Sequence, residues 1–166
     1  MTFGDNKFIN IGSDRVHAIY NQDKIVWGYV NGTIDNFESG IGGWQKAPSD
    51  TAMYVESFEG GLVLKCTSPH SATVRNAYLY IDVPVGAKMK LEYDCYQVYN
   101  GGTFEVRDGH SLSGAVLSPR QTVPAVNTWG HFVYNFTTTS DKITIRWLGT
   151  WSAHQKFDNI TLREIT

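Results

Sequence analysis

The sequence predicts an all-β chain: a two-sheet antiparallel jelly-roll sandwich preceded by a short N-terminal β-hairpin. Three observations carry that prediction. Apolar and polar residues alternate, as in Leu91-Glu92-Tyr93-Asp94-Cys95 and Ile143-Thr144-Ile145-Arg146-Trp147, and a period of two sends successive side chains to opposite faces of a strand. No stretch repeats apolar residues at i, i+3, i+4 and i+7 over three helical turns. The 166 residues are 13% aromatic and 18% charged with 16 glycines, against an ordinary charged fraction of about a quarter.

In chain order, Val16 to Tyr20 and Lys24 to Trp27 are β-favouring runs separated by the turn-forming Asn21-Gln22-Asp23, which makes them a hairpin. A lone two-stranded hairpin is marginal in water. Residues 1–28 are therefore expected to attach the chain to something, with Ile19, Tyr20, Val26 and Trp27 as assembly residues facing another protein, a second copy or the following domain. GYVNGT, with two glycines, makes 29–33 a linker, and residues 34–166 form the module. Its expected strands are 34–38, 52–57, 61–67, 73–83, 87–98, 103–108, 114–118, 131–138, 142–148 and 156–164, punctuated by Gly60-Gly61, Pro84 and Gly101-Gly102. So many short strands in one domain make a sandwich, and jelly-roll closure limits its exposed edges.

Fourteen Lys and Arg against sixteen Asp and Glu give a net charge of −2 without a basic cluster, so nucleic acid is not an expected partner. No apolar run reaches the roughly 18 residues that span a bilayer, so membrane insertion is not expected. Met1-Thr2-Phe3-Gly4-Asp5 lacks the parts of a signal peptide. Cys66 and Cys95 both fall on apolar faces and are expected in the core, where a disulfide between them is possible but not expected. Asn31, Asn135 and Asn159 open Asn-x-Thr sequons, the last two inside expected strands where a glycan fits badly.

Alternation also places a polar face. With Leu91, Tyr93, Cys95, Phe104, Val106, Ile143, Ile145 and Trp147 inward, Glu92, Asp94, Tyr96, Glu105, Arg107 and Arg146 point outward and are expected on one sheet surface. An aromatic plate beside groups that fork hydrogen bonds is what a sugar ring needs. Trp151 and His154, in GTWSAHQ, are placed to close one end of the groove. Trp44 is read as a core or rim residue of the fold, and Trp129 as sealing the sandwich. Either Tyr78 and Tyr80 or Leu79 and Ile81 point inward, because both parities are apolar. Glu38 follows Phe37 in the expected first strand and Asp158 follows Phe157 in the last. Two terminal strands side by side would bring these carboxylates together, and hard oxygens suit Ca²⁺. Catalysis finds no support in His17, His70, His110, His131 and His154, which lack metal-ligand spacing, and no nucleophile elbow or phosphate loop is present. A paired-carboxylate mechanism could use only Glu92 and Glu105, if their strands are neighbours.

DNFESGIGGWQ (35–45), EGGLVLKCT (59–67) and KITIRWLGTWSAHQKFDNITLREI (142–165) resemble jelly-roll carbohydrate-binding modules, particularly the families numbered four, nine and twenty-two, over residues 34–166. Residues 1–28 resemble the start of tailed-bacteriophage virion proteins, through Ala18-Ile19-Tyr20, Asn21-Gln22-Asp23 and Val26-Trp27. The resemblance implies a structural Ca²⁺ held by Glu38, Asp158 and carbonyls near Asn36 and the 59–61 turn. It implies a non-catalytic module of a virion, made in the host bacterial cytoplasm and placed on a tail or baseplate, that binds host cell-surface polysaccharide for host recognition. The N-terminal segment would join other virion proteins or copies of itself. The alternative is a structural head or tail decoration or adaptor protein that binds no sugar.

Overall fold

The computed structural model describes residues 8–11, 14–21, 24–35, 37–38, 40–48, 51–69, 72–99, 101–118 and 123–165, with 8–35 described in backbone only. No helix occurs among them. Their strands are β1 (Phe8–Ile11), β2 (Asp14–Asn21), β3 (Lys24–Asp35), β4 (Gln45–Ala47), β5 (Ala52–Phe58), β6 (Gly61–Thr67), β7 (Arg75–Asp82), β8 (Lys88–Gln97), β9 (Thr103–Asp108), β10 (Trp129–Thr137), β11 (Lys142–Gly149) and β12 (His154–Glu164).

The strands form two antiparallel sheets. The larger is organised on β12, which pairs along one edge with β8 and along the other first with β6, from His154 to Phe157, and then with β3, at 160–162. Beyond these lie β10 next to β8, β5 next to β6, and β2 then β1 next to β3. The smaller sheet has the order β4-β7-β11-β9. Together they make the all-β sandwich that the alternation predicts.

The core sits between the sheets because the period-two residues meet there. Along β8 the inward Met89, Leu91, Tyr93 and Cys95 are buried, and they face Phe104 and Val106 of β9 and Ile143, Ile145 and Trp147 of β11. Full burial of each such large apolar side chain contributes roughly 1.5–3 kcal/mol. Several polar atoms within the core find partners there. Tyr93 and Tyr134 share a hydroxyl–hydroxyl hydrogen bond of 3.0 Å, and Tyr134 donates to the Phe104 carbonyl at 3.1 Å. Gln155 Oε1 accepts from the Trp147 indole N–H at 2.6 Å and from Gly102 N–H at 2.8 Å. Cys66 and Cys95 are buried free thiols on β6 and β8, with β12 between them.

Four details differ from the expected strands. The segment 29–33 lies within the continuous strand β3 instead of interrupting it, and β3 carries the chain to its pairing with β12. Phe37 and Glu38 lie in a turn and not in a first module strand: Phe37 has φ of 62° and its carbonyl accepts from Gly40 N–H at 3.0 Å. Residues 114–118 form no strand, only an isolated bridge between Arg107 and Val116. They belong to a loop, 109–118, that folds back on the outer face of the smaller sheet. Finally, β4 is a three-residue edge strand too short to show a periodicity.

Candidate functional site

The outer face of the smaller sheet carries an aromatic strip. On β7, Ala77 and Ile81 are buried in the core, so Tyr78 and Tyr80 point outward, which resolves the parity that the sequence leaves open. Their ring centroids are 5.0 Å apart, and the His110 ring stacks on Tyr80 at 4.8 Å with 17° between planes. His110 follows Gly109, whose φ of 71° turns the chain back after β9. Its Nε2 lies 3.3 Å from Asp82 Oδ1 on the same side of β7, which fixes the imidazole against Tyr80. Partial burial, together with the charge and hydrogen bond of Tyr78, pushes the Tyr80 phenol above its ordinary value. Exposed Gln45 is directly opposite Tyr78 on β4. The strip therefore offers flat apolar rings flanked by amide, carboxylate and imidazole groups.

Three residues expected at the sugar-binding face, Glu105, Arg107 and Arg146, lie on this same face but beneath the 109–118 loop. Both guanidinium Nε atoms donate to Glu105 Oε1 at 2.6 Å. Arg146 Nη1 also donates to the Leu112 carbonyl and Arg107 Nη1 to the Gly114 carbonyl, each at 2.6 Å. Burial opposes the charge on Glu105, but the hydrogen bonds and charges of the two arginines outweigh it and hold the carboxyl below the usual range. Glu105 and Arg146 are thus a buried ionic cluster that fastens the loop, which corrects the expectation that they stand outward to meet a ligand.

The other expected residues do not join this face. Glu92 and Tyr96 are on β8, in the larger sheet, and point out of the opposite side of the sandwich. Glu92 pairs with Lys90 and Arg163 at 2.8 Å each. Glu92 and Glu105 therefore cannot act as a catalytic pair. Tyr96 packs against Phe58 at 4.8 Å and Trp129 at 5.5 Å, and Lys156 Nζ sits 3.2 Å above the Phe58 ring. His154 is on this side too, in register with Thr67, its imidazole held below its ordinary pKa by burial and by Lys65 and Lys156. Trp151 is half exposed at the β11–β12 turn with φ of 52°. Trp44 is core, as expected, whereas Trp129 stands on the outer face of the larger sheet instead of sealing the sandwich.

Of the metal residues, Glu38 and Asp158 are close enough to interact: burial, Asp94 and Glu38 together push the Asp158 carboxyl up, against the pull of the Asn159 backbone N–H. Among the described residues no group of three or more His, Cys, Asp and Glu is placed to hold a metal ion. Asn36 and the side chains of Ile19, Tyr20, Val26 and Trp27 lie outside the described residues.

No protein-family model matches the sequence, and no curated protein matches it. Solved structures do. The sandwich is similar to the enzymatically active domain of tailspike protein 4 of bacteriophage CBA120, with 13% identity and a TM-score of 0.59, covering 81% of this chain and 21% of that one. It is similar to the CBM22-1 and GH10 modules of endo-1,4-beta-D-xylanase 10B of Clostridium thermocellum, complexed with xylohexaose, with 15% identity and a TM-score of 0.62 over 83% of this chain and 28% of that one. A CBM4 module, at 12% identity and a TM-score of 0.60, matches over 78% of this chain and 99% of its own length. The fold is that of the jelly-roll carbohydrate-binding modules. The chain spans about a fifth of the tailspike domain's chain, just over a quarter of the xylanase chain and nearly all of the CBM4 module, and what it shares with them is the fold.

Within this fold, the residues missed by sequence reasoning are Tyr78, Tyr80 and His110. The first two sit in the run Tyr78-Leu79-Tyr80-Ile81, where either parity would serve as a core face. His110 reaches them only because the chain turns back at Gly109.

Proposed function

We propose that the chain is a non-catalytic carbohydrate-binding module whose Tyr78–Tyr80–His110 strip receives a polysaccharide along the outer face of the smaller sheet. The strip itself carries the reading: three rings in a row present flat apolar area to the C–H faces of sugar rings, and Gln45, Asp82 and the Tyr hydroxyls supply hydrogen bonds at its margins. Support comes from the fold of the neighbours, one of which is complexed with xylohexaose. Affinity electrophoresis of the full chain against xylan, β-glucan and bacterial surface polysaccharides tests it. Retardation by at least one polymer, lost in a Tyr78→Ala, Tyr80→Ala variant of unchanged melting temperature, is the expected result. Undiminished retardation of that variant would overturn the strip as the binding face, and no retardation of the wild type would overturn the binding role in favour of a structural decoration or adaptor.

The proposal extends to a bacteriophage virion, with host cell-surface polysaccharide as the ligand and residues 1–28 joining other virion proteins or copies of the chain. The tailspike neighbour supports this context. A shallow aromatic strip binds weakly alone, but many copies on one particle raise the apparent affinity by orders of magnitude without new contacts. Glu38 and Asp158 would hold a structural Ca²⁺: their hard oxygens suit the ion, and a cation beside Asp158 would offset the burial and the negative field of Asp94 and Glu38 that together lift its carboxyl.

A further inference from the structure

On the opposite side of the molecule, a cavity of about 460 Å³ opens on the outer face of the larger sheet, lined by Asp94, Trp129, Gly130, His131, Asp158 and Asn159. Its volume is in the range of small-ligand sites. Three features make it a built site. The first is a bulge in β12: the register with β8 shifts between Asp158 and Thr161, and Asn159 takes a left-handed φ of 52°. Bulges re-aim side chains, and strained backbone concentrates at functional positions. Here the bulge aims the Asn159 amide into the cavity, where Nδ2 donates to Asp94 Oδ2 at 2.8 Å. The second is that Asp94 is a fixed acceptor. Its other oxygen accepts from His131 Nδ1 at 2.8 Å, and a carboxylate so held keeps lone pairs for further donors. The third is a rigid aromatic wall. Trp129 is 38% exposed, yet its ring is braced by Tyr96 and Phe58, and its indole N–H donates to Glu59 Oε2 at 2.9 Å.

A carboxylate that accepts from two vicinal hydroxyls, an amide that donates and accepts, and an indole that covers the apolar side of the ring form a complementary set for a pyranose. We propose that this cavity is a second saccharide site, taking a single neutral hexose unit of gluco, galacto or manno configuration with Asp94, Asn159 and Trp129 as its contacts. The two sites then face away from each other across the sandwich, and one module can bridge two glycan chains. Asp158, opposite Asp94 on the neighbouring strand, also lines the cavity.

The test is an amide and indole NMR titration of the full chain with D-glucose, D-galactose and D-mannose. Saturable shifts at Trp129, Gly130 and His131 with at least one hexose are expected. The Asn159→Gly variant keeps a residue suited to positive φ and removes only the amide, so it should fold and bind about tenfold more weakly. The Tyr78→Ala, Tyr80→Ala variant should bind the hexose as wild type does, which separates this site from the strip. No saturable shift with any of the three hexoses, shifts confined to the smaller sheet, or an Asn159→Gly variant of unchanged affinity would overturn the proposal.

Discussion

Gln155 shows how much of this fold hangs on single polar side chains. Its carbonyl oxygen satisfies the fully buried Trp147 indole and the partly buried Gly102 amide. Gln155→Leu keeps the volume and orphans two donors, so it should lower stability by about 2–4 kcal/mol, read as the shift in a urea unfolding midpoint. Glu105 is the ionic counterpart. Replacing it by Gln leaves the Arg146 guanidinium buried without its counter-charge and should cost about 3–5 kcal/mol at neutral pH. The sign with pH follows from its depressed pKa. The stabilisation is fully present above the ordinary carboxylate value of 4.5 and is lost as the pH falls through the lower folded-state value. The stability difference between wild type and Glu105→Gln should therefore shrink on acidification below that value. A difference that grew would refute the assignment.

Elements here are placed by what fastens them as much as by their own propensity. The 109–118 loop has little regular structure, and two arginines from the sheet beneath hold its carbonyls. Its backbone adds two ladder-like bonds, Asp108 N–H to the Ala115 carbonyl at 2.8 Å and Leu117 N–H to the Val106 carbonyl at 2.9 Å. Arg107→Met removes one fastening while keeping much of the side-chain volume. Hydrogen exchange at Leu117 should accelerate by about tenfold, as expected for the loss of one charge-assisted hydrogen bond, with core amides of β8 unchanged. Likewise β11 relies on Gly149. A Cβ there would come within 2.3 Å of the Trp147 ring, and since that ring is fully buried, Gly149→Ala should destabilise by about 1–3 kcal/mol through overpacking, measured by thermal melting.

At the scale of the whole molecule, attachment and metal binding are the open properties. Deleting residues 1–28 keeps the part of β3 that pairs with β12 at Gly32, Thr33 and Asp35. If that segment assembles the chain, sedimentation should show the full chain larger than a monomer and the truncated one monomeric. For calcium, EDTA should lower the melting temperature of the wild type but leave Asp158→Asn unmoved. Equal responses of the two proteins would place the ion elsewhere. Much of the architecture was legible beforehand. The inward residues of β8, β9 and β11 were assigned correctly from alternation, because burial against one core imposes a period of two. The face of β7 was not, because Tyr78-Leu79-Tyr80-Ile81 is apolar in both parities.

Alternation, glycine placement and low charge by themselves determined that this chain is an antiparallel sandwich and which side chains of β8, β9 and β11 leave the core. These are local properties: each strand carries its own pattern of which face is apolar. Only the tertiary structure decided which outward residues meet. Glu92 and Tyr96 were separated from Glu105, Arg107 and Arg146 by assigning β8 and β9 to different sheets, and a returning loop buried the latter cluster while setting His110 on Tyr80. No one-strand period encodes sheet membership, because it depends on which strands find hydrogen-bonding neighbours across the whole chain. The proposed binding face is thus a product of topology, and the aromatic strip became visible only when β7 was seen packed beside β4 and β11.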